Sequence, residues 1–144
     1  MKPDYYISAV FELIKTGHWI TDKVGVALKE YGISEPQYNV LRVLRGQKGN
    51  PITVHEILSH MIQRSSNVTR IIDKLSEKKY VVRHECPTNR RKMDITITKD
   101  GLDKLELLDK VVEKFHKPMA KNLSIEEAKQ LKSLITKLKK GIAQ

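Results

Sequence analysis

Apolar residues recur at helical spacing along most of this 144-residue chain. Near the N-terminus they follow one another three or four positions apart, at Ile7, Val10, Phe11 and Ile14. That spacing is typical of one face of an amphipathic helix, and the pattern continues to Tyr31. Gly32 comes next, and glycine commonly ends helices because it adopts the left-handed conformation without strain. The pattern therefore predicts one long helix over residues 4–31.

Three later helices are predicted by a repeated start signal. In each, Ser or Thr is followed three residues later by Glu or Gln, so that the two residues satisfy each other's backbone N–H groups. The signals begin at Ser34, Thr53 and Ser124, and apolar residues flank each of them. They predict helices over about residues 35–45 and 54–60, and a last one after the third signal.

The middle of the chain combines a helix with a hairpin. A one-sided apolar stripe predicts a helix over about residues 65–79, with Val68, Ile71, Ile72 and Leu75 facing inward. A strand then begins near Tyr80, and alternation predicts a return strand through Met93, Ile95 and Ile97. The hairpin turn is predicted to carry three adjacent cations at its tip, namely Arg90, Arg91 and Lys92.

Another helix is predicted from Lys99 to about residue 122, with Pro118 bending or ending it. The fold class that follows is mainly α with a small β-hairpin wing. A short helix, a tight break, a longer helix and a hairpin form the order of a winged helix-turn-helix. We expect an N-terminal dimerisation helix (1–32), a winged helix-turn-helix (33–98, with the wing over about 80–98) and C-terminal dimerisation helices (99–144).

Dimerisation is expected because the helices at both chain ends carry apolar stripes outside the small winged body. Apolar stripes of this length usually mark an interface. A twofold dimer would set its two recognition helices about one DNA turn apart, ~34 Å.

The charge balance narrows the class of partner. The net charge of +10 favours a polyanion, either nucleic acid or an anionic membrane surface. No apolar run approaches the ~18 residues that span a bilayer, and the first residues lack the apolar stretch of a signal peptide. One cysteine fits a reducing compartment. We therefore expect a cytoplasmic protein with no membrane partner.

Much of the positive charge lies in the helix and hairpin just described. Residues 64–92 contain nine basic residues and three acidic residues. On the predicted recognition helix, side chains suited to phosphates or base edges are Arg64, Ser65, Ser66, Asn67, Thr69, Arg70 and Lys74. On the wing they are Asn89, Arg90, Arg91 and Lys92, where arginine suits a narrow minor groove. The alternatives are a solvated polar helix face and turn charges that protect an edge strand.

The chain resembles the MarR family of bacterial transcriptional regulators over nearly its whole length. The resemblance runs through "SEPQYNVLRVL", "ITVHEIL", "SSNVTRIIDKLSEKKYVVR" and "PTNRRKMDITITKDG". It implies a triangular homodimer of intertwined terminal helices, with a winged helix per subunit on a pseudo-palindromic operator in double-stranded DNA. It further implies a repressor released by a small aromatic or phenolic effector. Candidate effector residues are His18, Trp19, Tyr38 and Arg42; the alternative is that Trp19 and Tyr38 are core and Arg42 is solvated.

Two positions depart from the family pattern. The family usually has an acid two residues before the second wing arginine, and this chain has Asn89, which cannot supply the charge that orients Arg91. The family usually has glycine just after the recognition helix, and this chain has Lys79. A left-handed lysine there implies strain of roughly 1 kcal/mol.

Other chemistry is weakly represented. His84 and Cys86 lie two residues apart on one strand, but no closed set of metal ligands accompanies them. Cys86 also offers a redox switch, since neighbouring positive charge lowers a thiol pKa. The sequence contains no nucleophile motif, no phosphate-binding glycine loop and no recognisable cofactor site. We expect no enzyme and no cofactor; the alternatives are a protein–protein assembly module and a metal- or redox-responsive regulator using Cys86.

Overall fold

The computed structural model describes residues 4–64 and 66–142. This part of the chain forms six α-helices: α1 (Tyr5–Lys29), α2 (Glu35–Gly46), α3 (Val54–His60), α4 (Val68–Glu77), α5 (Lys99–His116) and α6 (Ile125–Leu138). Its strands are β1 (Ile52–Thr53), β2 (Val81–Cys86) and β3 (Asn89–Ile97), and a 3₁₀ helix covers Lys117–Lys121. The mainly helical fold with a small wing, expected from the sequence, is confirmed.

The helix starts follow the capping signals in the sequence. Ser34, Thr53 and Ser124 each accept a hydrogen bond from the third helical N–H, and the side-chain oxygen of the Gln or Glu there accepts one from the backbone N–H of the cap. Asp4 caps α1 by accepting from two backbone amides. Because side chains satisfy these amides locally, the starts depend little on tertiary packing.

The chain divides into two compact units, one ending at Val112 and the other beginning at Glu113. The core of the first unit is built from one face of each of its helices and from the sheet. Fully buried side chains include Leu28, Leu41, Leu44, Ile57, Ile72, Leu75, Ile95, Leu105 and Leu108. These residues hold α4 and the sheet on a common apolar interior, which fixes the base of the wing.

The sheet has three antiparallel strands in the order β1–β3–β2. The sequence predicted β2 and β3, but β1 is only two residues long and too short to show an alternating pattern. Its pairing of Ile52 with Ile95 buries both side chains. The start of α3 is thereby attached to the inner end of the wing.

The wing contains an irregularity that the sequence did not predict. Its turn lies at residues 87–88, and the basic cluster follows inside β3 rather than at the turn. Glu85 pairs with Met93, and the next β2 residue, Cys86, pairs with Asn89. Residues 90–92 therefore have no partner in the register of β2 and form a bulge of three exposed cations.

The end of α4 is held by a left-handed residue. Lys79 has φ 63°, the left-handed conformation for which the family pattern usually has glycine at this position. Its N–H donates to Ser76 O at 2.9 Å, and Tyr80 N–H donates to Leu75 O at 3.0 Å. This is a Schellman motif, which normally has glycine at the left-handed position. Gly32, with φ 71°, occupies the equivalent position at the end of α1.

The start of α5 lies against this turn. Thr98 Oγ1 donates to Lys79 O at 2.8 Å, and Thr98 N–H donates to Tyr80 O at 2.9 Å. Gly101 approaches so closely that a Cβ there would lie 2.2 Å from Tyr80 O. Glycine is required here by contact with the backbone, since its own φ is not left-handed.

The second unit comprises the end of α5, the 3₁₀ helix and α6. The predicted helix to residue 122 ends earlier, at His116, because Pro118 lies in the first turn of the 3₁₀ segment and cannot donate a helical hydrogen bond. None of the residues of α6 is buried. Within the described ranges, the helices fall short of the length and apolar content that crossing a bilayer requires.

Candidate nucleic-acid interface

The outer face of α4 carries three of the predicted helix contacts, and the others precede the helix. α4 begins at Val68, later than predicted, because Asn67 ends the preceding turn and accepts a hydrogen bond from Arg70 N–H at 3.1 Å. Thr69, Arg70 and Lys74 are exposed beyond this cap, as is Arg64 before it, and Ser66 is half-buried. Ser65 lies outside the described residues. Asn67 is therefore a capping residue whose side-chain NH₂ group alone is left to contact a ligand.

A cleft of about 430 Å³ runs beside this face. It is lined by Ser34, Pro36, Gln37, Gln63, Ser66, Asn67, Arg70, Ile71 and Lys74. The start of α2 therefore forms the second wall of a groove whose first wall is α4. This wall could not be predicted from local sequence patterns, because the two helices are separated by more than twenty residues.

The turn before α4 is positioned by a residue that the sequence did not single out. Asn39 lies on α2 and is 8% exposed, the one buried polar side chain of the described core. Its Oδ1 accepts a hydrogen bond from Ile62 N–H at 2.9 Å. The sequence signal that could have identified Asn39 is its place among apolar residues of a predicted helix. Its role is to hold the turn that aims α4.

On the wing, Asn89 and the three cations are all exposed. Asn89 Oδ1 accepts a hydrogen bond from Arg91 N–H at 3.0 Å. The asparagine thus fixes the backbone at Arg91, a contact that needs an acceptor oxygen and no charge. The guanidinium of Arg91 receives no such support from Asn89.

A second cleft, of about 450 Å³, separates α4 from the basic bulge. Its walls come from α3, α4 and the wing: Thr53, Val54, His55, Leu58, Thr69, Arg83, Arg91, Lys92 and Met93. Thr69 is thereby brought to the same cleft as Arg91 and Lys92, as predicted contacts of one ligand should be. His55 and Arg83 also line this cleft, although neither was among the contacts predicted from the sequence.

Acidic groups near this surface are few and mostly engaged. Asp73 forms an ion pair with Arg83, and Glu77 lies 3.8 Å from Lys74. A hydrogen bond from the backbone N–H of Thr53 lowers the pKa of Glu56, and the positive charge of Lys92 adds to this lowering. Among the described residues, no carboxylate forms an ion pair with Arg64, Arg70, Arg90 or Arg91. These four arginines are available to an external anion.

The candidate effector residues are only partly brought together. The Arg42 guanidinium lies 5.8 Å from the centre of the Tyr38 ring, whereas His18 and Trp19 are exposed on α1. Tyr38 itself is buried, and its hydroxyl donates to Asp109 at 2.7 Å. Burial, followed by that hydrogen bond, raises the pKa of Tyr38 to about 12.

Asp109 lies between two donors, Tyr38 and Arg45. Burial by itself would raise the pKa of Asp109, but hydrogen bonds from Arg45 and Tyr38 outweigh it and lower the pKa. Tyr38 and Arg45 thus join α2 to α5 through one carboxylate. This bridge could not be predicted from local sequence patterns, because Asp109 lies on the polar side of the predicted helix.

Cys86 and His84 make separate local contacts. The Cys86 sulfur lies 3.3 Å from Thr88 Oγ1, and His84 Nε2 lies 3.2 Å from Thr96 Oγ1. The pKa of the Cys86 thiol is lowered by hydrogen bonds with the side chain and backbone of Thr88. The sequence argument had assigned such a shift to neighbouring cations, so its cause was wrong although its direction was right.

Comparison with known proteins gives the same architecture. The MarR family model matches residues 31–92, from the end of α1 into the basic bulge. The chain is 27% identical over 108 residues to the HTH-type transcriptional regulator PapX of Escherichia coli, a match that covers 75% of this chain and 66% of that protein. The chain spans about half to two thirds of the length of the curated relatives it matches.

Solved structures match over almost the whole chain. A MarR-like transcription regulator from Bacillus cereus ATCC 10987 has a TM-score of 0.80 and 23% identity, covering 97% of this chain and 100% of its own. The structure of the S. aureus MepR–DNA complex has a TM-score of 0.79 and 21% identity, with the same coverage. Sequence and fold agree on the segment that carries the helix-turn-helix and wing: the MarR family model matches this segment in sequence, and MarR-like regulators of known structure share its fold.

Proposed function

We propose that this protein is a dimeric, sequence-specific double-stranded DNA-binding transcriptional regulator. The observation that carries the proposal is the joint placement of α4 and the basic bulge. Exposed Arg70 and Lys74 of the helix line the cleft of about 430 Å³, and Arg91 and Lys92 of the wing face Thr69 of the same helix across the cleft of about 450 Å³. Two basic elements separated by a cleft suit the two grooves of one duplex.

The two elements suit different kinds of contact. A helix fits the major groove of B-DNA, where arginine bonds guanine with two hydrogen bonds. A narrow minor groove concentrates negative potential and attracts inserted arginine. Arg70 is accordingly assigned to the major groove, and Arg91 to the minor groove. Arg64, Arg90 and Lys92 are assigned to phosphates, which position the protein without specifying sequence.

Relatives support this proposal. PapX is named a transcriptional regulator, and MepR has been solved as a complex with DNA. The match to the MarR family model over residues 31–92 makes the same use of the winged helix the first expectation for this chain. Repression, with release by a small aromatic acid, is the regulatory mode that we propose on the family resemblance.

Dimerisation is proposed from exposed apolar side chains. On α1, Tyr5 is 76% exposed and Phe11 is 59% exposed. On α6, Ile125 is 75% exposed and Leu134 is 63% exposed. Helices of this kind leave a large apolar area in water unless a partner covers it. A second copy of the chain is the partner that a pseudo-palindromic operator requires.

The DNA proposal is tested by fluorescence titration of duplexes at several salt concentrations. A duplex from the protein's own promoter region should bind more tightly than a random duplex. Affinity should fall steeply with salt because phosphate contacts release counterions. A protein–protein assembly module would show no such preference. Equal affinity for both duplexes would remove the regulator assignment.

Single variants test the contact residues. Arg70→Ala and Arg91→Ala should each weaken operator binding by about 1–3 kcal/mol if the side chains contact bases or the groove. Lys15→Ala serves as a charge control, since Lys15 pairs with Glu12 on exposed α1. If both arginine variants bind like the control, the site assignment is wrong.

Dimerisation and effector release have their own measurements. Light scattering at micromolar concentration should give twice the mass of one chain, and the mass of one chain would contradict the interface. A thermal-shift screen of phenolic acids, followed by DNA titration with each hit, tests release. An acid that binds without weakening the DNA complex would remove effector-driven derepression.

A further inference from the structure

One ion pair connects the recognition helix to the wing. Asp73 lies on α4 and Arg83 on β2, and their carboxylate and guanidinium groups are joined. Among the described residues, this is the one ion pair or hydrogen bond between α4 and the two wing strands. The pair is therefore the polar connection between the two elements assigned to DNA.

The position of Arg83 along β2 allows the ion pair to influence the orientation of the wing. Arg83 lies opposite Ile95, which is fully buried, so the inner end of the wing is fixed by the core. Beyond Arg83 only two regular pairs remain, His84 with Asp94 and Glu85 with Met93, before the bulge at residues 90–92. The ion pair thus joins α4 to the wing next to its buried inner end, two regular pairs before the bulge.

Local contacts at the tip do not replace this connection. Asn89 holds the backbone of Arg91 at 3.0 Å but carries no charge to orient the guanidinium. The bulge leaves residues 90–92 outside the regular ladder. The direction of the cations therefore depends on how the hairpin as a whole is held.

The negative charge of Asp73 on a surface proposed to bind DNA also needs an explanation. A carboxylate on the outer face of a helix that approaches DNA repels phosphates, unless a cation neutralises it. The Asp73 side chain is 47% exposed, and that of Arg83 is 37% exposed, so both remain near the surface. Arg83 neutralises the acid and is in turn unavailable to phosphate.

We propose that Asp73 and Arg83 are positioning residues that set the angle between α4 and the wing, and so the discrimination between operator and random DNA. The proposal rests on the proposed DNA-binding function. A fixed angle lets α4 and the bulge enter neighbouring grooves together, and only a correct sequence supports both contacts. Random DNA is bound mainly through charge, which needs no fixed angle.

Removing the charge of Asp73 and removing the charge of Arg83 should change the affinity for random DNA in opposite directions. Losing the ion pair should lower the ratio of operator affinity to random-DNA affinity in both variants. Asp73→Asn removes a negative charge, so affinity for random DNA should rise slightly while affinity for the operator falls. Arg83→Gln removes a positive charge, so both affinities should fall. In each variant the ratio of the two affinities should drop about three- to fivefold, the effect expected of an exposed ion pair. Arg83→Lys keeps the charge and should restore most of the ratio.

Amide hydrogen exchange without DNA provides the independent measurement. In Asp73→Asn and Arg83→Gln, amides of residues 84–94 should exchange about threefold faster, whereas those of α2 should not change. Glu77→Gln is the matched control, because Glu77 also lies on α4 but pairs with Lys74 on the same helix.

The outcomes separate the two proposals. If the unmodified protein does not prefer its operator, the proposed function fails, and this inference fails with it. If it prefers the operator but Asp73→Asn raises both affinities alike, Asp73 is only a charge and the inference alone is overturned. Faster exchange in the wing with an unchanged affinity ratio would also overturn it, since the pair would then hold the wing without affecting discrimination.

Discussion

α4 and α6 are both amphipathic helices, yet they have different surroundings. α4 has 10 residues and buries Val68, Ile72 and Leu75. α6 has 14 residues and buries none, although leucine and isoleucine recur along it at helical spacing. Both helices show an apolar stripe in the sequence. A hydrophobic stripe therefore indicates that another apolar surface must cover the helix. It does not indicate whether that surface belongs to the same chain or to another molecule.

The difference extends to the ends of the helices. α4 ends in a Schellman motif that contacts Thr98 and the start of α5, and Lys78 donates from its ammonium group to Gly32 O at the end of α1. α6 begins with a capping box formed within its own first turn. The chain's own tertiary contacts support α4, whereas none of the residues of α6 is buried. This contrast leads to five predictions, ordered by the expected size of the effect.

The largest effect is expected in the core beneath α4. Leu75 is fully buried, so Leu75→Ala should lower the free energy of unfolding by about 3 kcal/mol through lost burial and a residual cavity. Urea denaturation should show the same loss at every protein concentration, because the contact lies within one chain. A loss that vanished at high concentration would instead place Leu75 at an interface.

The next largest effect is expected where α5 meets the turn after α4. Gly101→Ala would put a Cβ 2.2 Å from Tyr80 O and 2.8 Å from Ile97 Cγ1. We expect a loss of about 2 kcal/mol by thermal or chemical denaturation, since backbone must shift. The matched control is Gly17→Ala in α1, where nothing lies within 4 Å of the added Cβ. The control should be neutral or stabilising by about 0.5 kcal/mol.

The apolar face of α6 should affect association rather than folding. Leu134 is 63% exposed, and Leu134→Glu places a charge in the proposed dimer interface. We expect self-association to weaken at least tenfold, about 1.4 kcal/mol, in sedimentation equilibrium. Lys129→Glu is the control on the same helix, because Lys129 pairs with Glu126 at its polar surface. Equal dissociation constants for both variants would refute the assigned face.

The bridge between α2 and α5 should give a pH-dependent effect. The raised pKa of Tyr38, about 12, means that its contribution to stability is complete below the ordinary tyrosine pKa near 10. That contribution is then lost as the pH rises towards 12, because the unfolded chain ionises first. Tyr38→Phe should cost about 1 kcal/mol at neutral pH and flatten this alkaline decline. Denaturation curves near neutral pH and at about pH 11 provide the measurement, and an unchanged decline would exclude Tyr38 as its source.

The smallest effect is expected at the left-handed residue after α4. Lys79→Gly should relieve strain at φ 63° and stabilise the protein by about 0.5 kcal/mol, after the entropy cost of glycine is subtracted. Lys48→Gly, at φ 55°, should give a similar gain and tests whether the cause is backbone conformation. A loss of thermal stability at Lys79 alone would indicate that its side chain contributes more than its strain costs.

Much of the local structure could be predicted from the sequence. The starts of α2, α3 and α6 follow from capping signals, and the inward face of α4 follows from its apolar spacing. These features depend on residues within a few positions of one another, where hydrogen bonding and sterics leave few choices. The left-handed Lys79 was indicated only by the family resemblance, in which glycine usually stands at this position.

The remaining features required contacts between distant positions. The strand β1, the Asn39 contact with Ile62 and the Tyr38–Asp109–Arg45 bridge each join residues that local patterns do not relate. The basic run at residues 90–92 illustrates the same limit. The sequence predicted its charge and its place in a hairpin, but the shift of register decided that it forms a bulge after the turn.

The sequence by itself determined the helices, the wing and the concentration of positive charge between residues 64 and 92. Those properties arise from side-chain chemistry and short-range periodicity, which are written directly in the order of residues. Only the tertiary structure decided that Asp73 neutralises Arg83 and that Thr69 shares a cleft with Arg91. Such partners are selected by packing among elements far apart in the chain, because the same cation can pair with any acid that the fold brings near.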